Sequence, residues 1–459
     1  MLFQTWPFLF FFAPTLAVYL LVRKTALRQP VLVLASYLFY GFWDWRFPAF
    51  LLAITTIDYF VGRGLASCKK RHGLLLGISL VANLGCLCAF KYLAFLLGNV
   101  QWLLELIHVD YALPEVTWIL PVGLSFFTFK SMSYTCDLYL GRTTVERNFL
   151  SYAAYVSFFP QIVAGPISRS GELLTQLKTV TPIASTDFTD GITLFISGLF
   201  KKVVMADMLC VYVDMIYDDP TSYGGAALLW ASYSFAWQIY FDFSGYSDMA
   251  RGVARLMGFQ TILNFNNPYA AVDVRDFWRR WHISLSTWFR DYVYIPLGGN
   301  RCSKIRSWFN LMVTMLVSGL WHGANWTFVV WGGLNGLGSI VSSLFDKSTW
   351  YGKIPAIFKQ IAVFHFMTLT WIFFRSASFG DAFAVLKGIF TWEEGELLFP
   401  VIPFAMVLCI WLYELAWSSP RFHFLCENRF ARLATALLSL LGILLLGTGA
   451  SAQFIYQQF

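Results

Sequence analysis

Twelve apolar runs, at residues 3–22, 31–44, 47–62, 74–99, 117–136, 190–216, 225–246, 307–321, 326–345, 361–375, 400–417 and 433–450, are separated by short polar loops. A bilayer offers no water to the backbone inside it, so a crossing segment must close its own hydrogen bonds, and about 20 apolar residues of α-helix do so. Several runs fall short of that length, which predicts about 11–13 crossings with the remainder interfacial or re-entrant. The chain is 58% hydrophobic and 13% charged, with a mean hydropathy of +0.59, which excludes a string of soluble domains. It reads as an all-α polytopic integral membrane protein. The first run, Phe3 to Val22, lacks a basic leader and a small-residue cleavage site and is followed by Arg23 and Lys24, so it reads as a retained helix rather than a signal peptide.

Lys and Arg accumulate in cytoplasmic loops. With the N-terminus outside, the inner loops hold 26 of the 33 Lys and Arg, nine of them from Arg251 to Arg306. The outer loops then hold Glu105, Asp110, Glu115, Asp218, Asp219, Glu393, Glu394 and Glu396. An even number of crossings returns the C-terminus to the outside. The net charge of +7 therefore records orientation and carries no nucleic-acid signal.

Two stretches depart from simple crossings. Ser151 to Arg169 is apolar but broken by Pro160, Gly165 and Pro166, which predicts an interfacial or re-entrant hairpin. A second break is expected around Leu320, where Gly319, Trp321, His322, Gly323, Ala324 and Asn325 meet. Freed backbone is tolerated there only where protein or a water-filled cavity satisfies it, which places His322 at a cavity wall. No internal repeat and no long hydrophilic stretch is visible, so one membrane domain over 1–459 is expected.

The richest stretch runs from Arg275 to Trp326. Trp278, Trp281, Leu285, Trp288 and Tyr292 recur at spacings of three and four, which predicts a single helix lying on or dipping from a membrane surface. His282 would ride on its apolar side near Ser286; Arg279 and Arg290 would share another face, and Asp276 would pair with Arg280 at i,i+4. His282 and His322 each follow a tryptophan, and an imidazole in an apolar chain is a functional candidate.

Other polar groups are ambiguous. Asp242, Ser244, Tyr246, Ser247 and Asp248 close an apolar run, Asn264, Asn266 and Asn267 follow, and Lys130 sits inside another. Each unpaired polar group costs roughly 2–7 kcal/mol in hydrocarbon, so a mutually satisfied network and direct chemistry both fit. Arg251 and Arg255 read as inner-surface anchors, although a phosphate-bearing donor could use them. His72, His108 and His423 fall in loops, and His365 has no motif around it. The eight cysteines form no CxxC pair, and neither carboxylate nor cysteine completes a ligand spacing around the two histidines, so no disulfide framework and no metal site is expected.

RDFWRRWHISLSTWFRDYVYIPLGGNR together with SGLWHGANWTFVVWGGLNG resembles the membrane-bound O-acyltransferase (MBOAT) family, in its bacterial branch typified by alginate O-acetylation. SYLFYGFWDWRF, PVGLSFFTFKSMSYTCDLYLGR, FFPQIVAGPISR, GLFKKVVMAD and WQIYFDFSGYSDMARG extend the resemblance over most of the chain. The branch that moves D-alanine onto teichoic acids shares RWHISLS but is less similar over YIPLGGNR. The resemblance implies helices ringed around a thinned centre, with a tunnel joining a cytoplasmic donor to an acceptor on the far side, in the inner membrane of a bacterium. It implies His322 as the base and His282 as a second polar site group, in a catalytic core expected at about 117–345; Asp242, Asp248 and Asn325 are the candidates for a supporting polar network. An imidazole, whose unperturbed pKa is about 6.5, suits proton removal from a hydroxyl during acyl attack.

The donor so implied is acetyl-CoA, a substrate and not a cofactor. Its nucleotide would stay at the basic inner face, where Arg279, Arg280 and Arg290 are the candidates to meet it. A carrier-protein thioester is the alternative donor. A periplasmic SGNH-type acetyltransferase would be the partner that delivers acetyl to alginate or, alternatively, to peptidoglycan or cellulose. The tail 451–459 ends QFIYQQF, and its Phe454, Tyr456 and Phe459 are similar to the C-terminal motif of a small partner peptide in the D-alanine system, where the tyrosine is thought to carry the acyl group. Tyr456 is thus a candidate acyl carrier, against the alternative of an aromatic end anchored at the interface. Outside enzymes, a transporter using the same polar groups is the competing class.

Overall fold

The computed structural model describes residues 1–345, 348–392, 394–396, 398–418 and 428–447. Lys347, Glu393, Arg421, His423, Cys426 and the tail residues Phe454, Tyr456 and Phe459 lie outside them. Every regular element among the described residues is helical. Phe47–Ser67, His72–Leu106, Trp326–Phe345 and Ala356–Arg375 are long and apolar enough to cross a bilayer, and Trp6–Val22, Val401–Trp417 and Phe430–Leu446 are shorter apolar helices. Gly225–Leu256 runs 32 residues and Lys304–His322 runs 19, both with buried polar side chains among their apolar ones. The protein is a multi-pass, membrane-embedded helical chain. It comprises two compact units, Met1–Gly191 with Val253–Ile262, and Ile192–Gly252 with the residues from Leu263 on.

In the first unit the run expected at 117–136 becomes helical only at Leu124, because Pro114 and Pro121 disfavour helix in the residues before them. Buried polar contacts join three helices: Asp58 accepts hydrogen bonds from Ser131 Oγ at 2.5 Å and Asn83 Nδ2 at 2.7 Å, and Ser79 and Thr135 share one at 2.9 Å. Polar pairs of this kind hold helices together where lipid supplies no hydrophobic drive between them. Arg28 is buried. Its guanidinium donates to the carbonyls of Gln176, Leu177 and Thr179 and so satisfies the open end of a short helix.

The broken stretch at 151–169 is a helix, Phe149–Ser157, followed by irregular backbone that is buried from 151 through 168. Protein groups satisfy and brace it: Phe159 N–H donates to Ser36 Oγ at 3.1 Å and Tyr155 hydroxyl to Ser168 O at 3.2 Å, while Lys130 Nζ donates to Gln161 Oε1 at 3.0 Å and Gln161 Nε2 to Ser168 Oγ at 2.8 Å. Lys130, ambiguous in the sequence, therefore braces this segment and lies 5.0 Å from the Tyr155 ring.

In the second unit Lys304–His322 and Trp326–Phe345 pack as a tight hairpin. A Cβ on Gly319 would lie 2.2 Å from the Phe328 carbonyl oxygen, and one on Gly332 would lie 2.4 Å from that of Met315. These glycines let the two backbones touch, as small residues do at membrane helix interfaces. The helix break expected around Leu320 falls later: the helix runs through Gly319 and stops at Gly323, whose backbone is extended.

Candidate active site

His322 is the last residue of its helix and is 3% exposed. The rings of Trp321, Trp331 and Phe374 stand around its imidazole at centroid distances of 5.0, 5.0 and 5.4 Å. Asn325 restarts the chain three residues on: its Oδ1 accepts from Thr327 N–H at 3.0 Å and its Nδ2 donates to Ala377 O at 2.9 Å. Asn325 is thus a cap for the following helix, which in turn delivers Trp331 to the imidazole.

His282 corrects the expected single helix. The stripe from Trp278 to Tyr292 is split into two seven-residue helices, Val274–Arg280 and Ile283–Phe289, and His282 joins them with φ 42° and ψ 54°. A left-handed conformation in a non-glycine residue is held only where the surroundings enforce it. Ser286 serves the turn: its N–H donates to His282 O at 2.9 Å and its Oγ to Trp281 O at 3.1 Å. The His282 ring is 1% exposed, with Phe243 edge-on at 4.5 Å and Phe265 at 6.5 Å. Burial pushes this imidazole well below its ordinary range, to about 3, so it stays neutral near pH 7. Trp321 links the two histidines, its ring 6.2 Å from His282 and 5.0 Å from His322. Residues forty apart in sequence therefore share one aromatic wall.

Asp242 and Asp248 pair with different lysines. Asp242 pairs with Lys202 at 2.8 Å, and Lys202 also pairs with Asp207 at 3.0 Å, all three buried. Asp248 pairs with Lys201 at 3.2 Å and with Arg251 at 3.3 Å. Lys201 reaches Glu414 at 3.1 Å, and both oxygens of Glu414 accept from the Tyr240 hydroxyl. The consecutive lysines lie in a π-helical segment, Lys201–Ala206, whose wider turn lets neighbouring side chains reach different carboxylates. Asp242 adjoins Phe243, the ring on His282, so the buried triad anchors one wall of the site. Replacing Lys202 with methionine strands two buried carboxylates and is expected to cost about 3–5 kcal/mol of stability. Thermal aggregation of the detergent-solubilised chain measures this, and an unchanged transition temperature contradicts it.

Of the arginines, Arg280 pairs with Asp276 at 3.0 Å, as the spacing predicts, and Arg290 pairs with Asp291 at 2.8 Å. Arg279 and Arg290 are exposed. Arg251 is tied to Asp248, while Arg255 pairs with Asp187 at 2.8 Å and Asp190 at 3.4 Å, as anchors would be. Among the described residues no group of three or more His, Cys, Asp or Glu is placed to hold a metal ion. Sequence reasoning assigned no role to Lys202, Asp207, Trp331 or Phe374. Two adjacent lysines within an apolar run, with an aspartate five residues on, were the available signal for the first pair.

The model of the membrane-bound O-acyltransferase family matches residues 66–379. A probable alginate O-acetylase of Pseudomonas aeruginosa is 36% identical over 411 residues, which cover 86% of this chain and 77% of that protein. A peptidoglycan O-acetyltransferase of Helicobacter pylori is also 36% identical, over 430 residues, 85% of this chain and 80% of its own. A teichoic acid D-alanyltransferase of Streptococcus thermophilus is 28% identical over 265 residues, 52% of this chain and 59% of its own.

Proposed function

The chain belongs to the membrane-bound O-acyltransferase family, and on that premise we propose that it moves acetyl from cytoplasmic acetyl-CoA across the inner membrane for O-acetylation of an extracytoplasmic polysaccharide of the alginate kind. That it is an O-acyltransferase follows from the family and from relatives that share most of its length. The observation that supports the finer reading is the pair of buried imidazoles that meet on the Trp321 ring.

In this reading His322 takes the proton of the Tyr456 hydroxyl as its oxygen attacks the thioester carbonyl carbon. The C–S bond breaks and the leaving thiolate receives the proton. Neutral His282 supplies a hydrogen bond to the same centre. The tyrosyl ester then gives its acyl group to the serine of a periplasmic SGNH-type acetyltransferase, and Tyr456 regains a proton. Two covalent steps replace one transfer across the bilayer. Exposed Arg279 would meet the phosphates of the donor, joined by Arg290 if its guanidinium turns from Asp291. Peptidoglycan is the second acceptor, favoured by a relative of equal identity; D-alanyl transfer matches over a smaller share of the chain.

Inside-out vesicles from cells making the full chain test the assignment. Acetyl-labelled coenzyme A thioester at their outer, cytoplasmic face is expected to yield base-labile labelled esters. Labelling by a D-alanyl thioester alone would overturn the donor, and substrate flux without ester formation would favour a transporter.

A further inference from the structure

We propose that Asn264 is the positioning residue that holds His282 in its left-handed turn and so aims its imidazole; the proposal rests on the reading of His282 as a site residue. His282 occupies the position before the helix Ile283–Phe289 where Ser, Thr, Asp or Asn normally caps the first free amides, yet its side chain makes no such cap. The first amides of any helix lack partners within it, and buried ones must find them elsewhere. Asn264 supplies both. Its main-chain oxygen accepts from Ile283 N–H at 2.9 Å, and its Oδ1 accepts from Ser284 N–H at 3.1 Å.

The segment around Asn264 also grips the turn from the other side, since Asn266 N–H donates to Arg280 O at 2.9 Å. Backbone bonds therefore flank His282 before and after, which is what fixes φ at 42° against the usual cost. The Asn264 Nδ2 donates to Ser247 Oγ at 3.3 Å, tying this strap to the helix Gly225–Leu256, which carries Phe243. Phe265 lies edge-to-face with Trp281 at 5.1 Å and nearly parallel to the His282 ring. The capping duty falls on a residue outside the helix rather than on the His282 side chain.

The test is a double-mutant cycle on the full chain in cells, reading base-labile envelope acetyl esters against the membrane level of the protein. Asn264→Leu is expected to lower acetylation roughly ten- to hundredfold through misplacement of the ring. Asn264→Asp, which keeps the acceptor for Ser284 N–H, stays within a few-fold of the original. In a His282→Ala background Asn264→Leu costs nothing further, because there is no ring left to aim. Should Asn264→Leu fail to accumulate, Asn264→Ser takes its place in the cycle. A loss in the double variant equal to the product of the single losses, or an Asn264→Asp as impaired as Asn264→Leu, overturns the positioning role alone. His282→Ala at the original rate overturns the site reading and the positioning role together.

Discussion

Changing His322 to glutamine lowers envelope acetylation by roughly 10²–10⁴-fold, the span that a positioned acid–base group contributes, while the protein still accumulates in the membrane. Glutamine is the informative choice because alanine would also empty the space that Trp321, Trp331 and Phe374 enclose, and a packing loss there would mix with the chemical one. Glutamine fills most of that volume and still hydrogen-bonds, but it has no basic nitrogen to take a proton. His322→Ala is expected to be at least as inactive and less stable. Because burial keeps His282 neutral near pH 7, it does not replace the missing base by cycling its own charge. Acetyl content at the original level in His322→Gln, normalised to protein level, would remove His322 from the mechanism.

Tyr456→Phe is expected to have an effect of the same order by deleting a single oxygen. If the tyrosine carries the acyl group, no ester can form on phenylalanine, and acetylation falls to background although the tail keeps its aromatic character. A direct readout accompanies the loss: the C-terminal peptide of the original chain carries a hydroxylamine-labile acetyl group when donor is supplied and the acceptor enzyme is absent. Tyr456→Phe with normal acetyl content discards the carrier while leaving the family membership and His322 untouched. The two substitutions separate cleanly, since one removes the proposed base and the other the proposed nucleophile.

Helical class and membrane embedding were legible in the sequence because they follow from hydropathy, which each run expresses locally. The two histidines that meet on the Trp321 ring stood out in the sequence because an imidazole in an apolar chain is conspicuous. What lay hidden depends on partners distant in sequence. The stripe Trp278 to Tyr292 has helical spacing throughout, and nothing local betrays the break at His282; the bonds that enforce it come from Asn264 and Asn266. Asp242 and Asp248 looked like one polar cluster because they are six residues apart, but they reach different lysines. Asn325 beside WHG looked like a site group, whereas its amide is consumed by Thr327 and Ala377. Periodicity reports which face is apolar, and it is silent on which distant residue completes a turn.

The backbone contact at Gly319 and Gly332 has a consequence for turnover. His322 stands one turn beyond a place where two main chains already touch, so its backbone is held against the neighbouring helix. If His322 is the base proposed above, it is the stationary member of that reaction, and whatever travel the acyl group needs must be supplied by the molecules that come to it. Engineering a different acyl length would accordingly begin with the rings that border this fixed nitrogen base, such as Phe374 and Trp331, and leave the hairpin beneath it alone.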